Sequence, residues 1–329
     1  MAPTGDPSPH ALTVTLGTRK SQLAMVQTYH VRDVLQKLYP NYNFPILPMS
    51  TTGDLILDKA LSKIGEKSLF TKELELALHE GKVDLVVHSL KDLPTTLPPG
   101  MMLGAVLERE NPHDALVFNE KFKDQTLDSL PEGSVIGTSS VRRIAQLKRR
   151  FPHLQFQDVR GNLNTRLAKL DADDSPFAGI VLAVAGLVRI NMGHRISQVL
   201  DPSLSLHAVS QGALGVECRS EDTRIVELLG PLNHFETRIR CVCERSLMRT
   251  LEGGCSVPIG VNSRFEGRSL HLRGLVASVD GKEVAEDDAD VEIPDDADAE
   301  QYANELGEAV AKKLLGLGAR QILDQIQHH

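Results

Sequence analysis

Val83-Asp84-Leu85-Val86-Val87-His88-Ser89-Leu90-Lys91-Asp92-Leu93-Pro94 is a β-branched and apolar run that stops at a lysine, an aspartate and a proline. A short continuous apolar run with such an ending predicts a buried strand that empties into a Pro-rich loop. Upstream of it, 67–79 has the pattern of a helix, and before that 12–16 and 21–38 repeat the order strand then helix. A second cycle opens near Asn111, with strands expected at 115–118, 134–137, 155–159 and 180–184 and helices at 141–150 and 164–170. Alternation of this kind predicts α/β sheets covered by helices. From about His234 the pattern changes. Ile239, Val242, Cys243, Ser246, Leu247 and Thr250 fall on one face of a helix, and strands expected at 257–261, 269–276 and 282–284 precede a final helix over 299–326. That order predicts an α+β unit, with the acidic stretch 286–298 as a solvated loop.

The 329 residues suffice for two or three domains at roughly 100 to 200 residues each. Lys and Arg total 36 against 44 Asp and Glu, a net charge of -8, so no overall basic field draws the chain to nucleic acid or anionic lipid. Any anion site must be local. Aromatic residues make up 4% with no Trp, which gives an RNA-binding reading little to stack bases on. Cys218, Cys241, Cys243 and Cys255 fit no zinc-ligand spacing, and no metal is expected. The first ten residues lack the basic start and apolar core of a signal peptide, so a cytoplasmic protein with reduced thiols is expected. The longest apolar stretch, 179–188, is short of the roughly 18–20 residues that cross a bilayer.

Three strand-to-helix turns carry arginine at or near the helix start: Gly17-Thr18-Arg19-Lys20-Ser21, Gly137-Thr138-Ser139-Ser140-Val141-Arg142-Arg143, and Arg160-Gly161-Asn162-Leu163-Asn164-Thr165-Arg166. The positive end of the helix dipole disfavours a cation there by about 0.3 to 1 kcal/mol, so an anion should compensate. Backbone N–H groups, hydroxyls such as Ser139 or Ser140 and forked guanidiniums make a receptor for carboxylate or phosphate. No phosphate-loop sequence occurs, and small carboxylates fit better. Alternatively the turns are ordinary caps whose arginines pair with the protein's own acids. Lys91 and Asp92 stand at a strand exit, where α/β folds mount catalytic groups; Asp92 is equally readable as a turn-initiating residue. His88, mid-strand among apolar residues, is expected to be a satisfied core histidine. Cys243 is expected in the core. Cys255, in Leu251-Glu252-Gly253-Gly254-Cys255-Ser256, follows paired glycines that end a helix and is a candidate nucleophile or attachment point.

These segments resemble the hydroxymethylbilane synthase (porphobilinogen deaminase) family. The resemblance is carried by Gly17-Thr18-Arg19-Lys20-Ser21, Ser50-Thr51-Thr52-Gly53-Asp54, Lys67-Ser68-Leu69-Phe70-Thr71-Lys72-Glu73, Val87 to Pro94, Gly137 to Ser140 with Arg142 and Arg143, Arg160-Gly161-Asn162 with Arg166, Gly186-Leu187 with Arg189, Gln211 to Gly215, and Glu252 to Cys255, in family order. It implies two similar α/β domains with mixed sheets, like type-two periplasmic binding proteins, and a smaller α+β third domain. The expected boundaries are a disordered tail over 1–10, a first domain from 11–110 with 210–233, a second over 111–209 and a third over 234–329. The resemblance also implies a transferase of porphyrin and heme biosynthesis. Four porphobilinogen molecules are deaminated and joined in turn on a dipyrromethane cofactor held by a thioether to Cys255, and the linear tetrapyrrole hydroxymethylbilane is released. Asp92 is then the catalytic carboxylate facing the pyrrole nitrogens. Arg19, Ser21, Lys91, Ser139, Ser140, Arg142, Arg143, Arg166, Arg189 and Gln211 contact substrate or cofactor. An active-site loop includes Thr52, Gly53, Asp54, Gly65, Lys67, Ser68 and Phe70. The expected partner is porphobilinogen, without nucleic acid, membrane or metal, and the expected state is a monomer. A carboxylate-binding protein without catalysis would share the arginines but would need no cofactor-bearing cysteine.

Overall fold

The protein is represented by a computed structural model that describes residues 12–52, 71–251 and 257–327. Strand β1 (Leu12–Thr13) leads to β2 (Leu16–Arg19), helix α1 (Gln22–Leu38), β3 (Tyr42–Asn43) and β4 (Ile46–Met49). Helix α2 (Lys72–His79) precedes β5 (Leu85–Ser89), a single 3-10 turn over Leu90–Asp92 and β6 (Met101–Val106). The next stretch holds β7 (Asp114–Phe118), β8 (Val135–Gly137), α3 (Val141–Arg150), β9 (Gln155–Gln157), α4 (Leu163–Asp171), β10 (Phe177–Ala183), α5 (Val184–Arg189) and β11 (Gln198–Leu200). The chain continues through β12 (Leu214–Arg219), α6 (Thr223–Leu229) and α7 (Phe235–Thr250). It ends in β13 (Ile259–Glu266), β14 (Ser269–Ala277), β15 (Val284–Glu292), α8 (Ala299–Gly316) and α9 (Ala319–Gln327).

Two five-stranded sheets share one plan, with orders β4-β2-β5-β12-β6 and β9-β8-β10-β7-β11. In the first, β4, β2 and β5 are parallel and β12 runs antiparallel to β5 and β6. In the second, β9, β8 and β10 are parallel and β7 runs antiparallel to β10 and β11. The reversed strand of each sheet is the one that the chain enters after crossing from the other. The two crossings lie side by side, with Leu107 N donating to Leu214 O and Glu110 N to Gly212 O. Gly212 has φ +89 and a Cβ there would sit 2.3 Å from Glu110 O, so close approach of the crossings requires glycine.

The Val83–Pro94 run is buried on both faces of the first sheet. Leu85 and Val87 pack with Val31 and Leu35 of α1, while Val86 packs with Leu74, Ala77 and Leu78 of α2. Covering both faces removes the polar alternation of a half-exposed strand, and each such side chain contributes roughly 1.5–3 kcal/mol by burial.

The third sheet is an antiparallel meander, β13-β14-β15, covered by α7 and α8 through Leu247, Val310 and Leu314. Two expectations are corrected here. The acidic stretch beginning at Glu286 is not a loop over its first half: β15 pairs with β14 from Val284 to Glu292. Ala285, Ala289 and Val291 join the core, while Asp288, Asp290 and Glu292 are exposed. Charges on the open face of an edge strand block further pairing, and they mask its period of two. The terminal helix is two helices, divided at Leu317 and Gly318, where φ of +96 at Gly318 cannot continue a right-handed helix. The apolar stretch 179–188 is divided between β10 and α5, and among the described residues no helix is long and apolar enough to cross a membrane.

Candidate active site

The exits of β2 and β5 meet in a small open cleft lined by Arg19, Ser21, Gln27, Thr71, His88, Ser89 and Asp92. Parallel neighbours in a sheet place their carboxyl ends at one edge, where clefts of α/β folds form. Ser21 caps α1 by accepting from Ala24 N at 3.4 Å. Gln27 and Ser89 exchange hydrogen bonds at 2.9 and 3.1 Å, which ties α1 to the end of β5. Asp92 closes the single 3-10 turn after β5 and has no hydrogen-bond or ion-pair partner among the described residues. It nevertheless lies in the field of Lys91 and Arg166.

The second sheet faces this cleft with the starts of α3 and α4. Contact between the two halves runs through Asn164, whose Nδ2 donates to Gln22 Oε1. Leu163 and Leu23 both approach Gly186 there. The arginines of α3 do not wait for an external anion. Arg142 donates to Asp114 at 2.7 and 3.2 Å and to Leu206 O at 2.6 Å. Arg143 donates to Asp114 at 3.0 and 2.7 Å and to Val181 O at 2.8 Å. Gln211 adds an Nε2 bond to Asp114 at 3.0 Å and one to Pro112 O at 2.6 Å. Burial alone would raise the Asp114 carboxyl, but the two guanidiniums overcome that and hold it far below the usual carboxylate range. The compensating anion for these two helix-start arginines is therefore part of the protein.

Arg166 and Arg189 are different. Each is half-buried and bonds a backbone oxygen, Arg166 to Gly161 O at 2.8 Å and Arg189 to Gly212 O at 2.7 Å, with no carboxylate in ion-pair range among the described residues. Burial first, and then the charge of Arg143, lowers Arg166 to about 10, against the pull of Asp92. Burial lowers Arg189 to about 10, with Glu110 opposing. Burial also lowers Lys91, with Asp92 opposing and Arg143 adding to the shift. Such guanidiniums gain more than exposed ones from an incoming anion.

Ser139 spends its hydroxyl on Val159 O at 3.1 Å. Ser140 occupies the cap position of α3 without a side-chain capping bond. Thr52 donates from N and Oγ1 to Glu73 Oε1 at 2.9 and 2.5 Å. Cys255 and the loop residues Gly53, Asp54, Gly65, Lys67, Ser68 and Phe70 lie outside the described residues. Cys243 is buried in the core. His88 is a satisfied buried histidine, 2.8 Å from Glu217.

Two groups at the site escaped sequence reasoning. Asp114 begins β7, one residue before the expected strand, and an aspartate opening the apolar run Asp114-Ala115-Leu116-Val117-Phe118 is the signal that marked it. Arg109 and Glu244 form a bidentate pair at 2.7 and 3.0 Å. Arg109 also donates to Gln211 O at 2.8 Å and Glu244 accepts from Ser210 N at 2.7 Å, so one ion pair fastens both crossings to α7.

Comparison with known proteins gives two family matches. Residues 14–227 match the model described as porphobilinogen deaminase, dipyromethane cofactor binding domain, and residues 238–316 match that of the porphobilinogen deaminase C-terminal domain. The chain is 55% identical over 314 residues to a porphobilinogen deaminase of Nostoc sp., covering 95% of this chain and 94% of the relative. It is 55% identical over 316 residues to that of Synechococcus elongatus, covering 96% of each. Among solved structures, the periplasmic aliphatic sulphonate binding protein SsuA from Escherichia coli aligns over 74% of this chain and 71% of that one, at 13% identity and a TM-score of 0.37, a loose likeness.

Proposed function

The chain belongs to the porphobilinogen deaminase family, and from that premise we propose how its residues divide the work. The reaction is that of hydroxymethylbilane synthase, a transferase of porphyrin and heme biosynthesis. Four porphobilinogen molecules are joined head to tail with loss of ammonia, on a dipyrromethane cofactor, and hydroxymethylbilane is released. The residues present fit such a cofactor: Arg166 and Arg189 are half-buried cations that, among the described residues, are answered only by backbone oxygens, and a pyrrole carrying acetate and propionate arms supplies carboxylates to pair with them. Dipyrromethane, when bound, supplies the ring to which the first porphobilinogen is joined.

Asp92 is the catalytic carboxylate in this reading, accepting hydrogen bonds from pyrrole N–H groups and stabilising the positive charge that develops as ammonia leaves. The observation that carries it is the position of Asp92 in the cleft wall with its oxygens uncommitted among the described residues, beside Lys91 and Arg166. Arg19, Ser21, Lys91, Arg166 and Arg189 hold carboxylate arms. Arg142 and Arg143, with Gln211, are fixed on Asp114; Arg143 faces the ligand with the N–H groups it does not spend there, and Arg142 positions α3. Ser140 offers its hydroxyl at the same helix start, where Ser139 holds its own on Val159 O. Cys255 bears the cofactor through a thioether, and Thr52 to Leu69 is the active-site loop of this reading. The boundaries expected from the sequence, 11–110 with 210–233, 111–209 and 234–329, are the domains of this reading. The reading needs no second chain, in keeping with the expected monomer, and three buried free thiols support a reducing, cytoplasmic setting.

Intact mass tests the assignment. The wild type should carry an excess equal to two linked pyrroles that Cys255→Ala lacks. Asp92→Asn reconstituted with preformed cofactor should keep that excess and add no further pyrrole. Normal elongation by Asp92→Asn would refute its role.

A further inference from the structure

Asp92 has no bonded partner of its own among the described residues, so the backbone on either side of it must hold its carboxylate in place. Upstream, Leu90 N donates to Ala213 O at 3.0 Å, which ties the start of the 3-10 turn to the second crossing. Leu93 N closes the turn on Leu90 O at 3.2 Å. Downstream the clamp comes from α7. Arg245 donates from Nη1 to Leu93 O at 3.0 Å and from Nη2 to Pro94 O at 2.5 Å. These are the two residues that follow Asp92.

The contact is built into the helix. Cys241, Arg245 and Arg249 are spaced by four and share one face. Cys241 packs with Leu90 and Leu93, Arg245 takes the two carbonyls, and Arg249 Nη1 reaches Thr95 O at 3.4 Å while its Nη2 holds Asn304 of α8. The stripe thus follows the loop from Leu90 to Thr95. Arg245 is 6% exposed, whereas Arg249 lies at the surface, so the bonds nearest Asp92 are the dry and strong ones. The planar fork meets two adjacent carbonyls at once, which a lysine ammonium cannot do with the same geometry. Pro94 has no N–H to give, and its carbonyl is the group by which the segment is held. α7 also leads in sequence to Cys255. One helix therefore clasps the turn that bears Asp92 and carries the chain toward the attachment point.

We propose that Arg245 is a positioning residue, whose fork fixes Asp92 where the reacting pyrrole meets it. The proposal rests on the roles given to Asp92 and Cys255 above. Arg245 acts through the backbone of Leu93 and Pro94 and not on the ligand. A catalytic group displaced by about 1 Å costs about 10²-fold in rate. Of the residues that hold carboxylate arms only Lys91 shares the clasped turn, while Arg19, Arg166 and Arg189 stand on β2, α4 and α5. Loss of the fork should therefore fall on kcat more than on KM.

The test uses holoenzyme reconstituted with preformed cofactor and counted by intact mass, so that rates refer to loaded molecules. Arg245→Lys should load normally and lower kcat by about 10- to 100-fold, with a smaller change in KM for porphobilinogen. Arg245→Gln should cost at least as much. The double variant Arg245→Lys with Asp92→Glu completes a cycle. The longer glutamate stem already misplaces the carboxylate, so Arg245→Lys should cost at least about threefold less there than in wild type. An unchanged kcat per loaded molecule overturns the proposal, and so do costs that multiply in the cycle, because a merely structural clasp acts independently of Asp92. Failure of Arg245→Lys to load overturns it as well, since the role would then lie in folding. If Arg245→Gln alone fails to fold, Arg245→Lys decides by the same readings. Failure of the Asp92 reading shows separately, as normal elongation by Asp92→Asn; the present proposal fails by itself when Asp92→Asn is inactive and the costs still multiply.

Discussion

The two sheets are built alike and end their strands in similar turns, yet they treat charge in opposite ways. In the first, Asp92 stands at a strand exit with no bonded partner among the described residues, and Ser21 caps the helix beside it. In the second, Asp114 is wholly buried beneath Arg142, Arg143 and Gln211, and Ser140 makes no side-chain cap. A carboxylate whose lone pairs are filled by guanidiniums is structural. One left uncommitted in a cleft is free to meet a ligand. The pairing decides which is which, and the residue type does not.

Exchanging the consequences of these two acids is the strongest test of the contrast. Asp92→Asn should lower tetrapyrrole formation by about 10²–10⁴-fold with an unchanged urea midpoint, and Asp92→Glu should recover part of the rate because the charge survives on a longer stem. Asp114→Asn should do the reverse, costing about 3–5 kcal/mol of stability in urea denaturation because two buried guanidiniums lose their counter-charge. If both variants fail in the same assay, the division of roles is broken.

Arginine chemistry gives a smaller effect. Arg166→Lys keeps the charge but loses the planar fork, so porphobilinogen should bind about tenfold more weakly, read as KM with little change in melting temperature. Arg142→Lys should instead lower the melting temperature, since its fork spans Asp114 and Leu206 O.

Acid titration should reach the crossings first. Burial lowers His207 from 6.5 to about 3, so the unfolded chain binds the extra proton, and stability present above pH 6.5 is lost as pH falls toward 3. Glu244 is raised by burial but lowered more by Arg109 and His207, from 4.5 to about 2; its contribution is present above pH 4.5 and lost toward 2. Urea midpoints against pH should therefore decline from about 6.5 downward, and His207→Gln should flatten the first part of that decline. The smallest effect sharpens the comparison of the turns: Ser21→Ala should cost about 1 kcal/mol through its lost cap, and Ser140→Ala less than about 0.5 kcal/mol, both by thermal melting.

Legibility followed the range of the interaction. The turns at Gly17 to Ser21 and Gly137 to Arg143 were visible because small residues, caps and arginines stand within a few positions of one another. The strand β15 was hidden because Asp288, Asp290 and Glu292 alternate with Ala289 and Val291, and charge outweighed periodicity. Asp114 was hidden because its partners Arg142 and Gln211 are 28 and 97 residues away.

By itself the sequence determined the alternation of strands and helices, the change to an α+β pattern after His234, and the ordered motifs that mark the family. Each of these depends on local propensity, apolar period or residue identity. Only the tertiary structure decided which charges are spent on one another. Asp114 takes Arg142 and Arg143, Glu244 takes Arg109, and Glu217 takes His88, whereas among the described residues Arg166 and Arg189 meet only backbone oxygens. Coulombic pairing in a dry interior depends on distance through space and on burial, and neither quantity is written along the chain.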